Sequence, residues 1–339
     1  MRIVLVALIS LFFLFSLTSR VYAAPTTWEA KATLLASWKT LVDSYPGNAS
    51  YEVIGRTELG ADIWAFSVGN GSSHVVMDGT IHGMEYFTAH SLYFVAEWLL
   101  TNGTAESEAC LNNLTVVFVP HLNWDLAGPP YVAPPAGRKN SNGVDLNRNF
   151  VTGWGLAGSS DPASEYYRGP SAASESETQT IRALVNDVDA VAWFNWHDFG
   201  GYELNNGSLF YTNNVASQHT ANCEAFLDEY EAVSSARGVS EFYTFSASKG
   251  GYARDDGYSL SGGVAFCVEE WYGTPEFGNS TGLIKERGVC LLLAAESLYG
   301  APASEDVPIP GADELDAWVG PLVALAILTC IIGMLREAS

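Results

Sequence analysis

Basic side chains are scarce in this sequence: Lys and Arg together number 16 among 339 residues, against 38 Asp and Glu, for a formal net charge of -22. A surface so poor in positive charge excludes nucleic acid as a partner, because phosphate binding rests on Lys and Arg. Cysteine is equally sparse, with 5 in all. No CxxC pair or Cys/His cluster offers a cysteine metal site. Cys110, Cys223, Cys267 and Cys290 fall in the body of the chain; four cysteines allow three pairings, although Cys267 sits in an apolar run and also reads as a buried thiol. Internal repeats are absent, so a solenoid or propeller is not expected.

Long apolar runs are confined to the two ends. Met1-Arg2 precedes the run Ile3 to Leu17, and Val21-Tyr22-Ala23 offers small residues for cleavage, the layout of a signal peptide over 1–23. Ala317 to Leu335 are 19 residues without a charge, followed by Arg336. As a helix at about 1.5 Å per residue they reach roughly 28 Å, a bilayer's hydrocarbon thickness. Residues 301–316 before them form an acidic linker with Pro302, Pro308 and Pro310, and 336–339 a short tail. The expectation is a single domain over 24–300, exported and held by that helix at the extracellular face of the cell membrane, with Arg336 inside. Six Asn-X-Ser/Thr sites, at Asn48, Asn70, Asn102, Asn113, Asn206 and Asn279, agree with a glycosylated exterior protein.

Between the ends, apolar periodicity predicts helices over 28–45, 88–100, 175–185, 224–237 and 283–299. Short apolar runs predict strands at 51–54, 63–68, 75–77, 114–119, 190–195 and 264–268. Strands alternating with helices predict an α/β fold: one domain with a mixed, mostly parallel central β-sheet covered by helices on both faces. The Gly-, Pro- and Asn-rich stretch from Asn123 to Arg168 is long enough to be a functional loop.

Chemistry-bearing residues gather at strand ends, where such sheets place their sites. His82 and Glu85 form an HxxE pair just after the strand at 75–77, and His197 ends the strand at 190–195. Two His and one Glu, with a fourth position left for water, make the ligand set of a catalytic zinc. The other histidines, His74, His90, His121 and His219, read as surface or satisfied polar groups.

The remaining motifs sharpen this. Arg138-Lys139-Asn140 precedes Gly143-Val144-Asp145-Leu146-Asn147-Arg148-Asn149-Phe150; Ser174 to Glu177 give Ser-Glu-x-Glu; Phe266-Cys267-Val268-Glu269 closes the series. Taken in order, they resemble the carboxypeptidase A-like zinc carboxypeptidase family over roughly Trp28 to Tyr299. The resemblance implies one zinc per chain on His82, Glu85 and His197, the set by which carboxypeptidase A itself is known. It implies Arg138 as carbonyl-polarising and oxyanion-stabilising residue, and Asn147 with Arg148 as the clamp for a substrate's C-terminal carboxylate. Glu269 becomes general base and then acid. The implied activity is hydrolysis of the C-terminal peptide bond of peptides or proteins. Elementary chemistry supports each role: a forked guanidinium reads a carboxylate bidentately, and an endopeptidase needs no such clamp.

The sequence also departs from the family. Phe245 stands where a substrate-capping Tyr is usual, leaving Tyr243 or Tyr252 as substitutes. Met84 occupies the place of a frequent Arg inside HxxE. An extra residue before Gly250-Gly251 leaves Ala253, Arg254 and Asp255 competing for the side-chain-selecting position; counting through the glycine pair favours Ala253 and an apolar preference. Glu270 directly follows Glu269, and only one of two successive strand residues can face a given side. Few residues separate Ala23 from Trp28, so no long activation segment is expected. Two other readings compete: an amidohydrolase of the same fold acting on cell-wall peptides or amino-acid derivatives, and a membrane-anchored peptide-binding module with an inactive site.

Overall fold

The computed structural model describes residues 31–127, 137–198, 208–213, 216–239, 242–270 and 280–300. The chain divides into two units, Met1–Ala301 and Pro302–Ser339, and every described residue belongs to the first. The leader at 1–23, the linker at 301–316, the helix at 317–335 and the tail at 336–339 lie outside the described residues. Among the described residues no helix is long and apolar enough to cross a membrane.

Helix α1 (Lys31–Asp43) leads into β1 (Ala49–Arg56), β2 (Asp62–Val68) and β3 (Ser73–Asp78). Helices α2 (Phe87–Thr101) and α3 (Ala105–Asn113) precede β4 (Leu114–Val119). After the long loop, which holds a 3-10 turn at Leu146–Arg148, come α4 (Ser176–Asp187), β5 (Ala192–Asp198) and β6 (Ser208–Thr212). The chain continues through α5 (Ser217–Arg237), β7 (Tyr243–Ala247), α6 (Ala253–Ser261), β8 (Val264–Glu270) and α7 (Ser280–Tyr299).

All eight strands join one sheet in the order β1-β2-β4-β3-β5-β8-β6-β7. The central ribbon β4-β3-β5-β8 is parallel, whereas β1, β2 and the β6–β8 pairing are antiparallel, so the sheet is mixed as expected. Its two faces follow from the twofold alternation of strand side chains. Val75, Met77, Phe194, Trp196, Phe266 and Val268 face the larger core under α1, α2, α5 and α7. Val76, Trp193 and Ala265 face the smaller one, where α4 contributes Ile181 and Val185 and α6 contributes Ala253. Because strand residues alternate, Asn195, His197, Cys267 and Glu269 fall on the face of the smaller core, beyond its apolar edge. The site therefore begins where that core ends.

Helix α3 and strands β6 and β7 carry little apolar periodicity and were not expected. Helix α3 buries only Ser107 and Cys110 and relies on a capping box between Thr104 and Ser107. Strand β7 is an edge strand whose residues are mostly exposed, so it has no buried face to show a pattern. Helix α6 is short, with the sequence ARDDGYSLS. The four cysteines are buried free thiols, and none of the three pairings forms among them. His90, His121 and His219 are buried rather than at the surface. Burial lowers the imidazoles of His90 and His121 to about 4 and about 3, so they stay neutral, packed edge-on against the Tyr86 ring.

Candidate metal centre

The turn after β3 carries His82 and Glu85 into the sheet's C-terminal edge, where β5 delivers His197. His82 Nδ1 lies 2.7 Å from Glu85 Oε1, and His197 Nδ1 lies 2.8 Å from Glu85 Oε2. All three side chains are buried, and one donor atom from each lies within 4.8 Å of the others.

The far nitrogens have polar partners of their own. His82 Nε2 is 3.1 Å from Asp145 Oδ1, a carboxylate that can only accept and so holds the ring from behind. His197 Nε2 lies 2.6 Å from Asn195 Oδ1, while the Asn195 amide nitrogen donates to Asp78 Oδ2 at 2.6 Å. Asp78 also accepts from Trp193 Nε1, and burial raises its carboxyl to about 6. Both Nδ1 atoms thus converge on the two oxygens of one buried carboxylate. Two imidazoles held from behind by polar partners around one carboxylate form a donor set that fits a divalent ion of the zinc type. Burial lowers the His197 imidazole, but Cys267 and Glu85 reverse this and carry it well above its usual value, so the site favours positive charge beside Glu85.

Asp145 links this centre to the cationic side of the cavity. Its Oδ2 accepts from Arg138 Nε at 3.0 Å and from the terminal guanidinium nitrogen at 2.8 Å. Burial alone would raise the Asp145 carboxyl; the hydrogen bond and charge of His82, with Arg138 and Arg148, outweigh it and hold it at about 2. The Ser-Glu-x-Glu motif explains the position of Arg138 and Arg148. Asn140 donates to Glu175 at 2.7 Å and to Glu177 at 3.2 Å, and its Oδ1 receives the backbone of Asn142 and Val144. Asn149 bonds Ser174 and receives the Glu175 amide. These buried bonds tie the loop carrying Arg138, Asn147 and Arg148 to the start of α4.

Residues from well-separated parts of the chain line a cavity of about 580 Å³, among them His82, Glu85, Arg138, Asn147, Arg148, His197 and Glu269. Glu269 stands directly opposite His197 in the β5–β8 register. Its neighbour Glu270 points to the other face, where it accepts from Arg287 of α7 at 2.9 Å. Burial and the charge of Glu85 raise the Glu269 carboxyl, while the charges of His197 and His82 pull it down.

Tyr166, Asp198, Phe210, Ala247 and Cys267 line the cavity but were not singled out from sequence as site residues. Tyr166, from the long loop, lies under both Arg138 and Arg148, at 4.8 and 5.7 Å from guanidinium carbon to ring centre. Cys267 stands beside His197 on the same face. Asp198 follows His197, and burial with the charges of Glu85, Glu269 and Glu270 pushes its carboxyl up to about 8. A one-dimensional signal for Tyr166 is lacking, because the loop that brings it here has no periodicity. Of the candidate capping residues, Phe245 is 44% exposed and stacks on Phe210 at 5.1 Å. Tyr243 is exposed, and Tyr252 lines the cavity.

The side-chain-selecting candidates separate cleanly. Ala253, favoured by counting, is fully buried in the smaller core and only its backbone nitrogen reaches the site, donating to Asn147 Oδ1 at 2.9 Å. Asp255 is buried and committed, receiving the backbone of Gly250 and Tyr252 and the Thr212 hydroxyl. Arg254 lines the cavity. Of the three, it is thus Arg254 rather than Ala253 whose side chain reaches the cavity. Just before α6, Gly251, at φ +79°, lies against the carbonyls of Arg148 and Phe150, where a Cβ would lie 3.0 Å from the first.

Comparison with known proteins follows this geometry. Bovine carboxypeptidase B is 29% identical over 184 residues, covering 50% of this chain and 43% of its own length. A metallocarboxypeptidase A of Arthroderma otae is 29% identical over 161 residues, 43% of this chain and 38% of its own. The chain thus matches less than half the length of these curated relatives. Among solved structures, carboxypeptidase A from Helicoverpa armigera superposes with a TM-score of 0.65 at 20% identity, over 82% of this chain and 75% of that one. Bovine thrombin-activatable fibrinolysis inhibitor, in complex with a tick carboxypeptidase inhibitor, gives 0.64 at 19%, over 81% of this chain and 99% of that one. These likenesses show a shared fold. A family model described as zinc carboxypeptidase matches residues 34–273, well over half of the sequence, and the chain belongs to the zinc carboxypeptidase family.

Proposed function

We propose that this protein is a zinc-dependent metallocarboxypeptidase that removes the C-terminal residue of extracellular peptides or proteins. The observation carrying the reading is the buried His82–Glu85–His197 trio, whose donor atoms converge closely enough to hold one cation beside a cavity lined by Arg138 and Arg148. His82, Glu85 and His197 would hold one zinc per chain. When bound, the metal supplies Lewis acidity and lowers the pKa of water to about 7.

The remaining work falls to this chain's own residues. Asn147 and Arg148 grip the substrate's terminal carboxylate, which sets the last peptide bond as the one presented. Arg138, braced by Asp145, faces the carbonyl oxygen and favours the negative charge that develops there. Glu269 accepts a proton from the attacking water and delivers it to the departing amine nitrogen, so water is added across the C–N bond. Tyr252, at the cavity wall, takes the capping place left by Phe245. Incubating the purified protein with a mixed peptide library should yield products shortened stepwise from the C-terminus, and a chelator should abolish them. Internal cleavage, or no metal-dependent loss of terminal residues, would reject the reading.

We also propose export by the 1–23 leader and anchoring by the uncharged segment 317–335, on the strength of their composition. A chain ending near Pro310 is then expected to partition into the soluble fraction and keep full peptidase activity, whereas the complete chain sediments with membranes. Loss of folding on that truncation would assign the last segment to the core instead.

A further inference from the structure

We infer that the cavity selects an acidic C-terminal residue, Glu or Asp, through Arg254. This rests on the carboxypeptidase reading above and names the substrate class of the same site. Arg254 is only 7% exposed and lines the cavity with His197, Cys267 and Glu269. Among the described residues its Nε has no hydrogen-bond partner. Among the same residues its ion-pair partner is Asp255, whose Oδ1 is 3.9 Å away and already receives the Thr212 hydroxyl at 2.5 Å. A guanidinium offers five N–H donors in a planar fork, and leaving such a group buried without an acceptor is unfavourable. The protein packs it on the Tyr252 ring, 4.2 Å from guanidinium carbon to ring centre. That contact orients the fork and leaves its donors free.

Arg148 lies over the same ring at 4.4 Å. Tyr252 therefore spaces two guanidiniums along one wall. A peptide ending in Glu or Asp carries two carboxylates a short chain apart, one terminal and one on the side chain, and no other common C-terminal residue does. With Arg148 taking the first, Arg254 is placed to take the second. An apolar end would bury the Arg254 donors unsatisfied, and a Lys or Arg end would set like charges together.

Charge-assisted pairs in a cavity separate substrates by roughly 10- to 100-fold. Peptides identical except for a terminal Glu, Phe or Lys should therefore show kcat/KM highest for Glu by at least about tenfold. In Arg254→Gln the Glu-to-Phe ratio should fall by a similar factor. This ratio does not depend on the fraction of folded enzyme. In Arg254→Asp the preference should move towards Lys. A wild-type preference for Phe or Lys, or a ratio unchanged in Arg254→Gln, overturns the inference. Should none of the three peptides be cleaved, calorimetric titration of the wild type with N-acetylglutamate and N-acetylnorleucine separates the two readings. Tighter binding of N-acetylglutamate keeps the acidic subsite and places the failure in the hydrolytic reading; equal binding overturns the subsite as well.

Discussion

Glu269→Gln is expected to lower kcat by a factor on the order of 10² to 10⁴ while zinc content and substrate KM stay close to those of the wild type. The amide keeps the size and position of the carboxylate but cannot accept the proton of water. Glu270→Gln gives the contrasting result. Its carboxyl is 1% exposed on the opposite face, raised to about 7 by burial against the opposing pull of Arg287. Gln still offers Arg287 an acceptor oxygen but removes the buried charge from this pair, which weakens it. The Glu270 variant should therefore melt at a lower temperature, with kcat of the remaining folded enzyme little changed. Single-turnover kinetics and thermal unfolding on both variants decide between them. If the outcomes exchange, Glu269 is not the proton-transfer group.

His197→Ala is expected to remove the bound zinc and with it essentially all peptidase activity, since the pair left behind cannot complete the ligand set. Elemental analysis after dialysis reads the first effect directly, and full occupancy in this variant would reject the assigned ligands. Asp145→Asn should act more mildly, because it weakens the orientation of His82 rather than deleting a ligand. Partners of metal-bound histidines of this kind affect metal affinity by about 10- to 100-fold, measured by competition with a chelator. The same substitution loosens Arg138, so its kcat should also fall in fully zinc-loaded protein. A variant with altered kcat and unchanged zinc affinity would show that Asp145 serves Arg138 alone.

Much of the fold was legible because its central strands are buried on both faces. Such strands read as short apolar runs, and Leu114–Val119 was found to the residue. Polar helix α3 and exposed edge strand β7 were missed for the opposite reason: neither has an apolar face to leave a periodic mark. The Ser-Glu-x-Glu motif was recognisable as a pattern, but its work was not. Only the folded chain brings Glu175 and Glu177 to Asn140, 35 and 37 residues away in sequence.

By itself the sequence determined the candidate ligands, the order of motifs and the resemblance to zinc carboxypeptidases, because these depend on residue type and local spacing. Tertiary structure decided which of the three candidate selecting residues turns to the cavity. Each residue added before a helix turns its face by about 100°. A register uncertain by one at Gly250-Gly251 therefore leaves Arg254 and Asp255 open beside Ala253, which counting favours. Contacts distant in sequence remove the ambiguity: Asn147 holds the Ala253 backbone across 106 residues, and Thr212 holds Asp255 across 43. With Ala253 drawn into the core and Asp255 bound to the loop, Arg254 is the one of the three that lines the cavity.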